Sequence, residues 1–230
     1  FFDEPMNLYA GAGALGVCYD DYNADNFDHA KLDFIHGAVI SMTQTGKRPI
    51  ESNAVMPGTP AWGADFKKAS IHAFNRSLGI GAQGASMPYR YNYLSLDDTY
   101  KDAYGLPLLR MTYNFTDQDR ALFAFITGKI EEAARAMNPK GMVSKPNAKD
   151  YNIVPYQTTH NTGGTLMGES PDDSVVNSYL QHWDADNLFV VGAGNFPHNG
   201  GCNPTGTVGA LSFRCAEGVL KYAEKGGKLA

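Results

Sequence analysis

The feature that most constrains the fold is the apolar run of residues 187–194, NLFVVGAG, which a glycine-rich loop separates from a helical pattern over 207–225. A short, continuous apolar run that ends in glycines is typical of a buried strand. Apolar residues at helical spacing, among them Leu211 and Cys215, predict an amphipathic helix behind it. A strand, a glycine turn, a loop and a helix in this order indicate α/β structure at this end of the chain.

The residues before position 150 favour a different arrangement. Residues 33–42, DFIHGAVISM, predict a strand interrupted by a glycine, and residues 63–78 predict an amphipathic helix. Two further strands are predicted at 87–96 and 107–115, with a polar turn between them. Residues 118–137 then predict the clearest helix, which we expect Thr116 or Asp117 to cap.

Apolar residues alternate along 107–115, which is typical of a half-buried antiparallel strand. The sequence therefore predicts an α+β fold, with an antiparallel sheet covered by helices and joined to one strand and helix of a doubly wound domain. The polar, proline-containing stretch 141–156 is the best internal boundary. We expect the two parts to be residues 1–155 and 156–230.

Residues 11–16, GAGALG, match the dinucleotide-binding fingerprint letter for letter. The fingerprint needs a buried strand before it and a helix after it. Here Asp3, Glu4 and Pro5 precede it, and a run dense in Asp and Asn follows at 20–29. Those flanks predict a glycine-rich loop instead of a phosphate-binding turn.

Composition excludes several classes of function. A formal net charge of −5 argues against a nucleic-acid surface. No apolar run approaches the roughly 20 residues of a membrane span, so no direct membrane insertion is expected. Cys18, Cys202 and Cys215 lack the paired spacing of a zinc or iron–sulfur site, and no metal is predicted.

Two loops, 156–168 and 192–207, carry the candidate chemistry. Both are rich in Gly, Asn and Thr, which lets the backbone approach a ligand closely. His160 in the first loop is a side chain suited to acid–base work near neutral pH. In the second loop, Pro204 is expected near the first helical position, with Thr205 or Thr207 as the cap of the final helix. That helix start would stabilise an electron acceptor that becomes negative on reduction.

Three motifs in the second half of the chain resemble the C-terminal part of the glucose–methanol–choline flavoprotein oxidoreductases. They are HNTGGTLMG (160–168), SVVNSYLQHWDADNLFVVGAG (174–194) and FPHNGGCNPTGTVGAL (196–211). The subgroup that the chain resembles is the large subunit of membrane-bound gluconate, ketogluconate, sorbitol and fructose dehydrogenases. Further similarity to that subgroup or to the family's substrate-domain hairpin lies at 20–29, 58–67 and 96–110.

The resemblance implies that a hydride passes from a carbinol carbon to flavin adenine dinucleotide (FAD). It assigns the role of proton acceptor to His160 and that of hydrogen-bonding partner of the substrate oxygen to Asn203. It also offers His198 as a second active-site histidine, and it places Asn161 against the substrate. The residues implied in FAD binding are Gly192, Ala193, Asn203, Pro204, Thr205 and Gly206.

The same resemblance implies a sugar, polyol or sugar-acid substrate, with a cytochrome c and a small subunit as partners. It points to a complex in the bacterial periplasm. The family's N-terminal nucleotide-binding unit has no counterpart in these 230 residues. We therefore expect this chain by itself neither to hold the flavin tightly nor to turn over.

Two other readings remain open on the residues alone. Loops with many Tyr and Asn side chains, together with Trp62, are compatible with a carbohydrate-binding module that has no redox activity. A metal hydrolase would use His160, His182 and His198, although their spacing lacks the i, i+4 pattern of a zinc helix. The family resemblance favours the flavin enzyme over both.

Overall fold

The computed structural model describes residues 1–7, 16–43, 55–145, 147–154 and 159–229. Contacts between Cα atoms divide the chain into two compact units. The first unit comprises Phe1–Gly84 and Asp117–Ala148, and the second comprises Ala85–Thr116 and Lys149–Ala230. Helices and small antiparallel sheets occur together, which confirms the α+β class. The expected division at residue 155 stays a prediction.

The first unit contains an antiparallel sheet of three strands. Its strands are β1 (Val17–Tyr19), β2 (Ala38–Thr43) and β3 (Gly79–Gly84), in the order β1-β2-β3. The sequence predicted only the central strand. Three residues are too few for β1 to show a periodicity, and four of the six residues of β3 are Gly or Ala, which are depleted in strands.

Strand β2 begins at Ala38 instead of residue 33, because the backbone before it is left-handed. His36 has φ 67° and Gly37 has φ 145°. A Cβ at position 37 would lie 2.0 Å from the carbonyl oxygen of Tyr22, so the two backbones approach at a distance that only glycine permits. The N–H of Ala38 then donates to the same Tyr22 oxygen at 2.9 Å.

Two helices belong to the first unit. Helix α1 (Gly63–Ala73) is shorter than the predicted 63–78, whereas helix α2 (Asp117–Ala136) confirms the helix predicted at 118–137. Leu122 and Ile126, one turn apart on α2, are buried. The core that they form contains three further buried residues, Phe34, Ala38 and Ile40.

The second unit contains a hairpin of β4 (Tyr93–Lys101) and β5 (Pro107–Thr112). Strand β4 continues through 97–101, which the sequence assigned to the turn, and the chain reverses within 102–106. The Asp102 carboxylate stabilises this shorter turn by accepting the N–H groups of Tyr104 and Leu106 at 2.8 and 2.9 Å.

The expected half-burial of β5 is wrong. Leu109 and Met111 share one face of the hairpin with Leu96 and Leu94, their partners across the strands. These four side chains are 46–67% exposed. Alternation determines which side chains share a face, but burial also requires a second layer packed on that face.

Helix α3 (Thr205–Lys225) also belongs to the second unit, where Val176, Leu180 and Cys215 form a small core. The strand predicted at 187–194 is wrong. Within it only Phe189 pairs, in an isolated bridge to Gln181, and Ala193–Asn195 is a 3-10 turn. A strand of a parallel sheet forms only beside neighbouring strands, and an apolar run alone does not supply them.

The GAGALG stretch lies outside the described residues, except for Gly16, so its assignment to a loop stays a prediction. Among the helices of the described ranges, none combines the length and apolar character needed to cross a bilayer.

Candidate active site

The two loops that the sequence selected lie side by side in the second unit. The N–H groups of Gly163, Thr165 and Met167 donate to three consecutive carbonyl oxygens, those of Ala193, Gly194 and Asn195, at 3.3, 3.1 and 3.0 Å. Alternate residues of the first loop are thus tied to successive residues of the second. The backbone of 163–167 and that of 193–195 are fixed against each other without a regular sheet.

Glycines allow this close contact. Gly163 and Gly164 have φ 80° and 92°, a left-handed conformation that glycine adopts without steric cost. A Cβ at Gly194 would stand 2.6 Å from Oγ1 of Thr165. The glycines that gave the segment its loop-like composition are therefore required by turn geometry and by the packing of one loop on the other.

Two buried asparagines fasten the loops through their side chains. The Asn195 amide donates to the carbonyl oxygen of Thr165 at 3.0 Å, and the Asn199 amide donates to that of His160 at 3.2 Å. Asn195 is fully buried, and its Oδ1 has no hydrogen-bond partner among the described residues. Sequence reasoning missed both residues. The available signal was their position in a turn-rich segment, where Asn side chains commonly bond to nearby backbone.

The predicted catalytic residues occupy these loops. His160 is half-buried in the first loop, and Asn161 beside it is exposed. His198 and Asn203 are exposed in the second loop. Asn199, which follows His198, donates from its side chain to the His160 carbonyl and so links the two loops at this point. The catalytic roles stay predictions.

Helix α3 begins directly after Asn203. Pro204 is its N-cap, and the first bond along the helix runs from the N–H of Val208 to the Pro204 carbonyl at 3.0 Å. The cap residue is Pro204 and makes no side-chain hydrogen bond to the first turn, so the expected capping by Thr205 or Thr207 is wrong. Because a helix leaves its first N–H groups without a partner in the helix, this end presents donors and a partial positive charge.

The start of helix α3 is open to a ligand. A Cβ at Gly206 would meet nothing within 4 Å, and Thr205 and Gly206 are exposed, so the first turn is accessible to a planar ring. Backbone N–H donors at a helix N-terminus favour the negative charge that a flavin acquires on reduction. Gly192, with φ 146° and open space at its Cβ position, leaves similar room at the start of the second loop.

Tyr179 packs against helix α3 beyond its first turn. The Arg214 guanidinium lies 3.9 Å from the ring centroid, and Lys221 Nζ lies 4.3 Å from it. The hydrogen bond from Lys221 to the phenol oxygen lowers the pKa of Tyr179, and the charge of Arg214 acts in the same direction. These contacts fix the helix whose first turn borders the second loop.

Among the residues that the structure describes, histidines and acidic side chains form no cluster that suits a metal. In the described part of the chain, no three side chains of His, Cys, Asp or Glu come together as a ligand set. His182 lies outside the two loops and accepts the N–H of Asp184 at Nδ1, at 3.0 Å. His160, His182 and His198, the residues of the metal-hydrolase alternative, therefore do not form such a set in the described part of the chain.

Comparison with known protein families identifies the class to which a chain with these paired loops belongs. The family described as GMC oxidoreductase matches residues 88–212, which include both loops and the start of helix α3. The chain belongs to this family. The similarity that the sequence motifs indicated is confirmed.

Individual relatives support the subgroup assignment. The chain is 43% identical over 226 residues to the gluconate 2-dehydrogenase flavoprotein of Pantoea cypripedii, covering 97% of the chain and 37% of the relative. It is 35% identical over 218 residues to 2-methyl-1,2-propanediol dehydrogenase of Mycolicibacterium austroafricanum, covering 94% of the chain and 38% of the relative. It is 34% identical over 151 residues to the fructose dehydrogenase large subunit of Gluconobacter japonicus, covering 65% of the chain and 26% of the relative. The chain thus spans less than two fifths of the length of each of these proteins.

Proposed function

We propose that this chain is part of a flavin-dependent dehydrogenase that oxidises a CH–OH group of a sugar, polyol or sugar acid. The observation that carries the proposal is the pairing of the HNTGGT loop with the loop that leads into NPTGT and helix α3. The family match extends over both loops. The similarity to a gluconate 2-dehydrogenase flavoprotein and to a fructose dehydrogenase large subunit supports a sugar or sugar acid as substrate.

The chemistry divides between the cofactor and this chain. FAD, when bound, supplies the hydride acceptor. His160 accepts the hydroxyl proton of the substrate at an imidazole nitrogen, since imidazole is a competent base near neutral pH. Asn203 donates a hydrogen bond from its amide to the substrate oxygen without competing for that proton. Asn161, exposed beside His160, contacts the substrate.

The second loop and the start of helix α3 hold the flavin. The N–H groups of the first helical turn, at Thr205 and Gly206, stabilise negative charge on the cofactor. Gly192 and Ala193 allow close approach at the other end of this loop, and Pro204 sets the direction of the helix. Residues 156–230 thereby act as the returning part of a FAD-binding domain, and a cytochrome c with a small subunit receives the electrons.

The decisive experiment compares histidine variants of the flavin-loaded holoenzyme, the complete enzyme of which this chain is proposed to be part. Flavin reduction by gluconate, fructose and related polyols is measured by stopped flow. Loss of the general base in His160→Ala should slow reduction by about 10²- to 10⁴-fold. His182→Ala is the matched control, because His182 lies in the same unit but outside both loops. Reduction at the unaltered rate in His160→Ala would overturn the proposed mechanism.

The same assay separates the two candidates for the partner of His160. Asn203→Ala should slow flavin reduction strongly, whereas His198→Ala should change it little. The reverse order of effects would assign the second role to His198. For the isolated 230-residue chain, we expect no saturable quenching of FAD fluorescence and no sugar oxidation, and substantial turnover by this chain alone would contradict that expectation.

A further inference from the structure

Asn199 is the residue through which the second loop reaches the predicted proton acceptor. Its side chain is 6% exposed, and its Nδ2 donates to the carbonyl oxygen of His160 at 3.2 Å. Its Oδ1 accepts the N–H of Gly201 at 3.1 Å, two residues further along. One amide group therefore bonds to the backbone on both sides of the candidate site.

The backbone of Asn199 is itself held in place. Its N–H donates to the carbonyl oxygen of Ser86 at 2.9 Å, and the N–H of Ser86 donates back to the Asn199 carbonyl at 3.0 Å. This reciprocal pair fixes the position from which the side chain reaches His160. Because the amide is buried and bonded at both ends, it has one orientation in which both bonds are made.

Loss of this amide affects two places at once. The carbonyl oxygen of His160 loses the bond from Asn199, so the peptide that carries the imidazole is held less tightly. The turn from Asn199 to Gly201, which leads to Asn203 two residues later, loses the bond that closes it. A displacement of about 1 Å between reacting groups can cost on the order of 10²-fold in rate.

We propose that Asn199 is a positioning residue that sets His160 and the Asn203 segment relative to each other. The proposal rests on the proposed function, in which His160 and Asn203 act on the substrate. Asn199 acts through the backbone, so its substitution should lower the rate of the chemical step while leaving substrate binding nearly unchanged.

The second unit offers a matched control. Asn177 is 4% exposed, its Nδ2 donates to the Leu229 carbonyl at 2.5 Å, and its Oδ1 accepts the N–H of Tyr179, again two residues along, at 2.9 Å. Asn177 thus makes both kinds of bond at similar burial outside both loops, and it also bonds to Gln181, donating from Nδ2 at 3.2 Å and accepting the Gln181 N–H at 3.1 Å, so its loss is at least as disruptive. Its substitution measures what the loss of such an amide does to stability alone.

The test uses four variants of the flavin-loaded holoenzyme: N199A, N199D, N177A and H160A. Stopped-flow flavin reduction at saturating gluconate should be about 10- to 100-fold slower in N199A, with the KM for gluconate and the rate in N177A within about threefold of the unaltered protein. N199D should be as slow as N199A, because the carboxylate still accepts the Gly201 N–H but donates nothing to His160. If N199A does not fold, N199D provides the same test.

A second readout does not depend on turnover. Amide hydrogen exchange of residues 159–168 should be faster in N199A and N199D than in the unaltered protein, and unchanged in N177A. The inference is overturned by equal slowing in N199A and N177A, by a fast N199D beside a slow N199A, or by unchanged exchange in 159–168. If H160A reduces its flavin normally, the proposed function fails, and the exchange measurement still decides whether Asn199 holds the His160 peptide.

Discussion

Gly218 of helix α3 lies directly against Tyr179, so close that a Cβ at this position would require a shift. A Cβ at position 218 would be 2.9 Å from Cβ of Tyr179 and 3.0 Å from its carbonyl oxygen. Both of these atoms are fixed by the backbone, so neither can rotate away. The close approach sets the position of the helix whose first turn is proposed to face the flavin.

Gly218→Ala should therefore destabilise the protein. Alanine in a helix interior gains about 1 kcal/mol over glycine in intrinsic propensity, but overpacking against a rigid neighbour costs about 1–3 kcal/mol. We expect a net loss of about 1 kcal/mol in the free energy of unfolding, measured by urea denaturation.

Gly209→Ala in the same helix is the control for this change, because a Cβ there would meet nothing within 4 Å. It should raise the free energy of unfolding by about 0.5–1 kcal/mol. Equal effects of the two alanines would show that the contact with Tyr179 does not constrain the helix.

Gln181→Ala should lower the free energy of unfolding by more than Gly218→Ala does. Gln181 is fully buried, its Nε2 donates to the carbonyl oxygens of Asp186 and Gly227, and its Oε1 accepts the N–H of Leu229 at 2.7 Å. Truncation leaves these three backbone groups without this partner, at about 1–3 kcal/mol for each that stays buried. We expect a loss of about 3 kcal/mol in urea denaturation and faster amide exchange at 227–229. A loss below about 0.5 kcal/mol would contradict the role of Gln181 in holding this segment.

Acid should loosen residues 97–100 of strand β4 through Asp97. Its Oδ1 accepts the N–H groups of Tyr100 and Thr99, each at 2.8 Å, and these bonds lower the pKa of the carboxyl below its ordinary value of 3.8. A lowered pKa in the folded state means that the stabilisation is complete above pH 3.8 and is lost as the pH falls through the folded-state value.

The measurement for Asp97 is an acid titration followed by the amide NMR shifts of Thr99 and Tyr100. Both should move together, with a midpoint below pH 3.8. Asp97→Asn, which cannot ionise, is the control and should abolish the shared transition. A midpoint at or above the ordinary carboxyl pKa would refute the assignment.

The sequence predicted the fold where local patterns determine structure. Leu122 and Ile126 repeat at helical spacing over a long stretch, and helix α2 matches its predicted bounds to within one residue. Strand β3 was missed because its glycines and alanines carry no β propensity, and its place in the sheet depends on pairing with β2. The run 187–194 has the composition of a strand but gains only a single bridge, since strand formation depends on neighbours elsewhere in the chain.

In the candidate site, too, local sequence patterns predicted some features, whereas features that depend on distant contacts were missed. Glycine, asparagine and histidine content selected both loops from composition, and the family resemblance pointed to His160 and Asn203. Nothing local distinguished Asn195 or Asn199 from other loop asparagines. Their importance comes from the carbonyl oxygens that they reach, 30 and 39 residues away in the chain, and such contacts exist only after folding.

The three cysteines should differ in reactivity. Cys18 and Cys202 are exposed, whereas Cys215 is buried in the core of the second unit, and burial raises the pKa of the Cys215 thiol above its ordinary value of 9.0. Because the thiolate is the nucleophile, iodoacetamide near neutral pH should modify Cys18 and Cys202 and spare Cys215 until the protein is unfolded in urea.

The raised pKa of Cys215 also predicts how the stability of the fold changes at alkaline pH. The buried neutral thiol contributes fully below pH 9.0, and this contribution is lost as the pH rises through the higher pKa of the folded state. Urea denaturation at increasing pH should therefore show a loss of stability above pH 9.0 that Cys215→Ala does not share. Mass spectrometry that finds Cys215 alkylated as fast as Cys202 in the folded protein would contradict its placement in the core.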